Sequence, residues 1–147
     1  MRAVVTRVSS ASVAIDGQTV GAIEKGYLIL LGVGPDDTEA VCDKLAEKIC
    51  NLRVFEDENG KMNLNLEQVG GSILVVSQFT LYADTSSRRP GFSRAAKPDL
   101  AIPLYERFME QCRAHGFQVE HGEFGADMTV ASVNDGPVTI LYDTQQP

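Results

Sequence analysis

The sequence predicts an α+β fold: a single barrel-like, mostly antiparallel sheet with two helices on its outside. Three observations carry this. Short β-branched segments are separated by turn pairs, two longer segments repeat apolar residues at helical spacing, and two apolar runs lack alternation, as strands covered on both faces do. At 147 residues, 44% of them hydrophobic, the chain has the size and composition of one domain, so residues 1–147 are read as one unit.

Arg2 to Val8 and Ala11 to Ile15 have the β-branched content of strands. Asp16-Gly17 suits a two-residue hairpin loop because both positions tolerate positive φ, and Gln18 to Ile23 is the returning strand. Tyr27 to Leu31 is apolar without alternation and stops at Gly34-Pro35. Asp36 with Glu39 resembles a capping box, and Val41, Leu45, Ile49 and Leu52 then form one apolar helical stripe. After a turn at Asp57 to Gly60, Met62, Leu64 and Leu66 alternate with polar residues, and Ser72 to Val76 reads as the most interior strand. Residues 83–97 form a polar loop. A second helix is expected from about Pro98 to His115, with Ile102, Tyr105, Met109 and Cys112 on one face and Gly116 as its stop. Two last strands, Met128 to Val133 and Val138 to Tyr142, flank a turn at Asn134 to Pro137. The sum is about eight strands and two helices, with the strands in hairpin pairs rather than a βαβ series.

Composition excludes several functions. The longest uncharged apolar run, Gly26 to Val33, is far below the roughly 20 residues of a membrane helix. Met1 leads straight into Arg2-Ala3-Val4-Val5 without the pattern of a signal peptide, so neither membrane nor secretion is expected. Three cysteines without a C-x-x-C pair suggest a reduced, cytoplasmic protein, and two histidines outside any ligand spacing argue against structural zinc. The formal charge of -7 argues against general coating of a polyanion. Its distribution is uneven: Arg88, Arg89, Arg94 and Lys97 fall in a stretch, 85–97, without an acid, whereas residues 117–147 carry acids and no Lys or Arg. A local anion site and a plain solvated loop both fit that stretch.

Two places could hold chemistry. Val75 and Val76 run into Ser77-Gln78-Phe79-Thr80, and a strand period would put Gln78 and Thr80 on one face, where their polar groups need partners or a ligand. A strand simply emerging into solvent gives the same pattern. Gly136-Pro137 is the second, as a rigid turn or an ordinary hairpin. Gly91 to Ala95 only grazes a nucleophile elbow, since no strand precedes it and Ala95 replaces the second glycine. His115 reads as a helix cap, His121 as a loop residue, and the cysteines as inert apolar residues.

Taken together, Ser77-Gln78-Phe79-Thr80-Leu81, Gly60-Lys61-Met62-Asn63-Leu64-Asn65, Phe124-Gly125-Ala126-Asp127-Met128 and Asn134-Asp135-Gly136-Pro137-Val138-Thr139 resemble the D-aminoacyl-tRNA deacylases in order and spacing. Arg7-Val8 with Ala11-Ser12-Val13, and Arg89-Pro90-Gly91-Phe92-Ser93, are similar to that family's first strand and basic loop. Tyr82 departs from the pattern, standing where smaller residues are common. The resemblance implies hydrolysis of the ester of D-aminoacyl-tRNA and attack on glycyl-tRNA, with L-aminoacyl-tRNA refused and no metal or organic cofactor. It implies a homodimer in which a Gly-cisPro turn, here Gly136-Pro137, enters the neighbouring subunit's pocket beside Ser77, Gln78, Phe79 and Thr80, the catalytic candidates. Arg7 would fix the turn, and Arg7, Met128, Gly136 and Pro137 would bind substrate. Arg88, Arg89, Arg94 and Lys97 would hold the tRNA acceptor end; DNA and membranes are not expected partners.

Two other readings remain at this level. One is a non-enzymatic binding protein using the same pocket for nucleotide ends or a partner's terminus; the other is a Cys or Ser hydrolase of small esters, for which no nucleophile-base constellation is recognisable.

Overall fold

The computed structural model describes residues 1–146; the last residue of the expected 1–147 unit, Pro147, lies outside the described residues. The chain runs through β1 (Arg2–Ile15), β2 (Gln18–Ile23), β3 (Gly26–Gly32), α1 (Glu39–Cys50), β4 (Phe55–Glu56), β5 (Met62–Leu64), β6 (Ser72–Ser77), α2 (Pro98–Ala114), β7 (Val119–His121) and β8 (Thr129–Asp143). β1 is the strand on which the rest is built. β8 follows one of its edges from Arg2 to Ala14, while the other edge takes β3 along Arg2 to Val8 and β2 along Ala11 to Ile15, all antiparallel. The β1–β2 turn is the expected hairpin, with Asp16 at φ 50° and Gly17 at φ 78° between the paired Ile15 and Gln18.

The sheet is mixed, which corrects the expectation of hairpin pairs. β3 pairs parallel with β6, and β6 parallel with β7. A parallel neighbour cannot be reached by a tight turn, so the chain crosses over through α1 before β6 and through α2 before β7. These are two βαβ units sharing β6. β2 then leans across to β7 without a ladder. A Cβ on Gly21 would stand 2.8 Å from the His121 carbonyl oxygen, so glycine permits the approach that nearly closes the barrel.

Both helices pack on one face of this sheet. Tyr27, Ile29 and Leu31 of β3 and Ile73 and Val75 of β6 join Leu45, Ile49, Leu104 and Phe108 in the larger core. The alternate residues Leu28, Leu74 and Val76 turn the other way, into a smaller cluster with Val8, Val13 and Ile23 inside the barrel. The absence of alternation in β3 and β6 therefore has the physical cause read from it: both faces are covered.

Two boundaries move. α1 begins at Glu39 with Thr38 as its cap, because Thr38 Oγ1 accepts from the Val41 N–H at 3.3 Å. The acid just before the cap serves the end of β3 instead: Asp37 accepts from the Gly34 N–H at 2.6 Å and from the Met1 ammonium at 2.7 Å. At the other end of the chain, the expected turn between two last strands is not a hairpin. Both flanks pair with β1 in the same direction, so residues 129–143 form one strand interrupted by a wide bulge.

Candidate active site

β6 ends at Ser77, and the Gln78 N–H still donates to Leu31 O at 2.8 Å. Phe79–Tyr82 then make one 3₁₀ turn. The strand alternation that would have aligned Gln78 and Thr80 stops there, yet the two side chains meet through the turn: Gln78 Nε2 donates to Thr80 Oγ1 at 2.5 Å. An amide NH₂ can only donate, so it offers Thr80 no base. Among the described residues the N–H groups of Phe79 and Thr80 reach no acceptor, as befits the first residues of a helical turn. Phe79 is 54% exposed, and Thr80 is exposed beside it. From below, Arg2 holds the turn: Nη1 donates to Leu81 O at 2.8 Å, Nε to Asp143 at 3.1 Å, and the guanidinium lies 4.5 Å from the Tyr82 ring centre. Burial pushes the Tyr82 hydroxyl pKa up, against the opposing pull of the Arg2 charge, so it stays protonated.

The Gly136-Pro137 segment lies in the bulge. Two steps along β1, from Thr6 to Val8, face five along β8, from Thr139 back to Asn134. The Gly136–Pro137 peptide bond is cis, and Gly136 has φ 136°. Arg7, a side chain only 5% exposed, lies beneath: Nη1 donates to Val54 O at 2.6 Å and Nε to Asp135 O at 2.9 Å. Its Nη2 stands 3.0 Å from where a Gly136 Cβ would be, which leaves no room for a side chain there. Asn134 spans the neck, accepting from the Val138 N–H at 2.8 Å and donating to Thr139 Oγ1 at 3.1 Å. Asp135, Gly136 and Pro137 are exposed, and none of them is paired with a β1 residue in the ladder.

Within one chain these two places share no hydrogen bond among the described residues. The larger cavities lie elsewhere, one of about 690 Å³ between the β1–β2 hairpin and α2, another of about 400 Å³ between α1 and the end of β8. Met128 precedes β8 half-buried against the barrel-interior cluster, its sulfur filling the space a Gly122 side chain would need. The basic loop is pinched by paired backbone bonds between Asp84 and Gly91, at 2.7 and 2.9 Å. Arg88, Arg89, Arg94 and Lys97 are all exposed; Arg94 lies 3.8 Å from Asp84, an acid one residue outside the stretch counted as free of acids. Phe92 of this loop packs edge-on against Phe79 at 5.1 Å, which brings the loop onto the Ser77–Tyr82 turn.

His115 caps α2 and its ring nitrogen meets Gln111 O, while His121 meets Gly122 O, so neither stands beside Thr80. All three cysteines are free and buried; burial pushes the Cys42 thiol pKa up to about 12, far from a thiolate. No group of three metal-ligating side chains occurs among the described residues. The residues that sequence reasoning passed over are Asn134, Arg2 and Phe92. Asparagine heading a turn was a legible signal for the first; an arginine on a strand and an aromatic in a polar loop gave none.

The family model for D-Tyr-tRNA(Tyr) deacylase matches residues 4–143. A D-aminoacyl-tRNA deacylase of Shewanella baltica (strain OS195) is 63% identical over 141 residues, covering 95% of this chain and 97% of that protein. One from Thermosipho africanus is 56% identical over 147 residues, covering 99% of each. Among solved structures, one titled c-Myc DNA Unwinding Element Binding Protein superposes with a TM-score of 0.91 at 41% identity, covering 97% of this chain and 98% of its own. A probable eukaryotic D-amino acid tRNA deacylase shares the fold at a TM-score of 0.85 and 17% identity, covering 96% and 97%. The motifs, the near-closed barrel and this similarity along nearly the whole length agree: the chain belongs to the D-Tyr-tRNA(Tyr) deacylase family.

Proposed function

We propose that this protein hydrolyses the ester bond of D-aminoacyl-tRNA, releasing the D-amino acid and free tRNA, and that it turns away L-aminoacyl-tRNA. The observation that carries the reading is the braced bulge at Gly136-Pro137, exposed and outside the β1 ladder, on a chain whose Phe79 and Thr80 N–H groups reach no acceptor among the described residues. Chirality resides at one carbon. Rejecting one hand of every amino acid requires a wall that blocks one Cβ direction while ignoring what lies beyond it, and backbone held by a buried arginine is such a wall. Its carbonyls suit an α-ammonium group. Glycine has no Cβ to collide, so glycyl-tRNA is a second substrate.

Among the described residues the bulge shares no hydrogen bond with the Ser77–Thr80 turn of its own chain, and β8 exposes Val133 (57%) and Leu141 (77%). A second copy is the natural recipient, so the active unit is a homodimer whose sites each combine the Ser77–Thr80 turn of one chain with the Gly136-Pro137 bulge of the other. Arg88, Arg89, Arg94 and Lys97 hold acceptor-end phosphates, contacts that position without reading sequence. The formal charge of -7 weighs against coating of duplex DNA.

The chemistry follows from what surrounds Thr80. With no base in reach, an activated hydroxyl nucleophile is disfavoured. Water attacks the acyl carbon instead, passing its proton by way of the vicinal ribose hydroxyl to the departing ribose oxygen as the ester C–O bond breaks. The Phe79 and Thr80 N–H groups receive the oxyanion. Thr80 positions the substrate.

The test is incubation of the purified protein with D-tyrosyl-, L-tyrosyl- and glycyl-tRNA. Loss of the D ester, slower loss of the glycyl ester and persistence of the L ester are expected. Equal hydrolysis of both enantiomers would overturn the reading, and tight binding of the acceptor end without hydrolysis would favour a binding module.

A further inference from the structure

We infer that Asn134 is a positioning residue for the chiral wall, its amide closing the neck of the β8 bulge and fixing where Gly136 and Pro137 stand. The inference rests on the proposed deacylase reading and adds to it a residue with its own readout. Between the Val8–Asn134 and Thr6–Thr139 pairs the β1 ladder offers nothing to residues 135–138, so side chains must hold them. Arg7 reaches only the ascending limb, at Asp135 O. Pro137 has no N–H and cannot be tied through its own nitrogen. The first backbone donor after it is the Val138 N–H, and this one donates to Asn134 Oδ1 at 2.8 Å.

The second bond fixes the bracket itself. Asn134 Nδ2 donates to Thr139 Oγ1 at 3.1 Å. Rotating the amide by half a turn would set its NH₂ against the Val138 N–H, donor facing donor, so only one orientation satisfies both neighbours. The bracket thereby joins the residue that enters the bulge to the two that leave it. Asn134 and Thr139 are exposed, whereas Val138 is 8% exposed with its side chain in the main core. Removing such surface bonds costs the fold little, and the buried Val138 still anchors the far limb. What changes is the freedom of the exposed tip, and shifts on the order of 1 Å at a site can cost about 10²-fold in rate.

The experiment measures kcat and KM on D- and L-tyrosyl-tRNA together with dimer content and melting midpoint. For Asn134→Ala the expected result is a kcat/KM on the D ester lower by roughly 10- to 100-fold, carried mainly by kcat, with a reduced D-over-L ratio. Melting midpoint and dimer content should stay near those of the unsubstituted protein. Asn134→Asp keeps an acceptor for the Val138 N–H and can accept from the Thr139 hydroxyl, so it should restore most of the ratio. Thr139→Val, which keeps the β-branched shape and removes only the amide's second partner, should lower the ratio by a smaller factor. An unchanged ratio in Asn134→Ala, or an Asp variant as damaged as the Ala variant, overturns the inference. If Asn134→Ala fails to fold, an unchanged ratio in Thr139→Val overturns it equally. An unsubstituted protein that cleaves both enantiomers alike overturns the deacylase reading and the brace with it.

Discussion

At the scale of single residues, the most consequential fact is the company Thr80 keeps. Its hydroxyl oxygen accepts a hydrogen bond from an amide that cannot take a proton, and both histidines are tied to local carbonyls elsewhere. A folded Thr80→Ala protein should therefore retain substantial activity, losing less than the roughly 10²–10³-fold that removal of one oxyanion donor costs. Single-turnover hydrolysis of D-tyrosyl-tRNA measures this, alongside a substrate lacking the vicinal ribose hydroxyl, which should be cleaved far more slowly. A trapped acyl ester on Thr80, or an inactive Thr80→Ala protein together with normal cleavage of the deoxy substrate, would restore a covalent route. Much of this site was legible as residue types: polar groups crowding a strand end, a glycine-proline pair, a run of basic residues. Their geometry was not. A strand period says nothing of the 3₁₀ turn that begins after Gln78, and no local pattern shows that Arg7, six residues into the chain, lies under Asp135.

Among elements, local signals were faithful and connections were not. The Asp16-Gly17 hairpin, the α1 stripe and the burial of β3 and β6 follow from spacing, because each depends on neighbours within a few residues, whereas the α2 face shifts: Leu104 and Phe108 are buried beside Tyr105, Met109 and Cys112, and Ile102 is only half-buried. Whether β6 runs parallel or antiparallel to β3 depends on where the intervening chain travels, which periodicity does not encode. The helices of the two crossovers are tied at their surface by Arg107 of α2, whose Nε and Nη2 donate to the two oxygens of Asp43 of α1 at 2.7 and 2.8 Å. Hydrogen bonding from this guanidinium holds the Asp43 carboxyl pKa below its ordinary value. A carboxylate depressed in the folded state contributes stability that is fully present above its unfolded pKa and is lost as the pH falls through the folded one. Asp43→Asn should accordingly lower the melting midpoint at neutral pH by a small step, as expected for an exposed pair. Thermal melts of both proteins from neutral to strongly acidic pH should show that gap closing below the ordinary aspartate range. A gap that widens with acid would contradict the assignment.

For the whole molecule, the question is how many chains make one site. Cross-subunit completion predicts that monomers are inactive rather than half active. In a mixed dimer, one partner would carry an obstructed Ser77–Thr80 turn and the other a deleted Gly136-Pro137 bulge; both defects then fall in the same site and the other site is intact. Activity should reappear on mixing two inactive homodimers, and its absence despite confirmed heterodimers would count against the arrangement. One feature of the fold bears on the making of the protein itself: β1 and β8, the first and last strands, are partners along nearly their whole length. A growing chain emerges with β1 well before β8, so until β8 follows, β1 has a bare edge, the kind of surface on which strands of other chains can assemble. The residue that braces the bulge, Arg7, leaves the ribosome more than a hundred residues ahead of its partner Asp135. Local helices and the β1–β2 hairpin can form meanwhile, but the wall that would discriminate one hand of an amino acid from the other cannot be braced before residues 134–138 have followed.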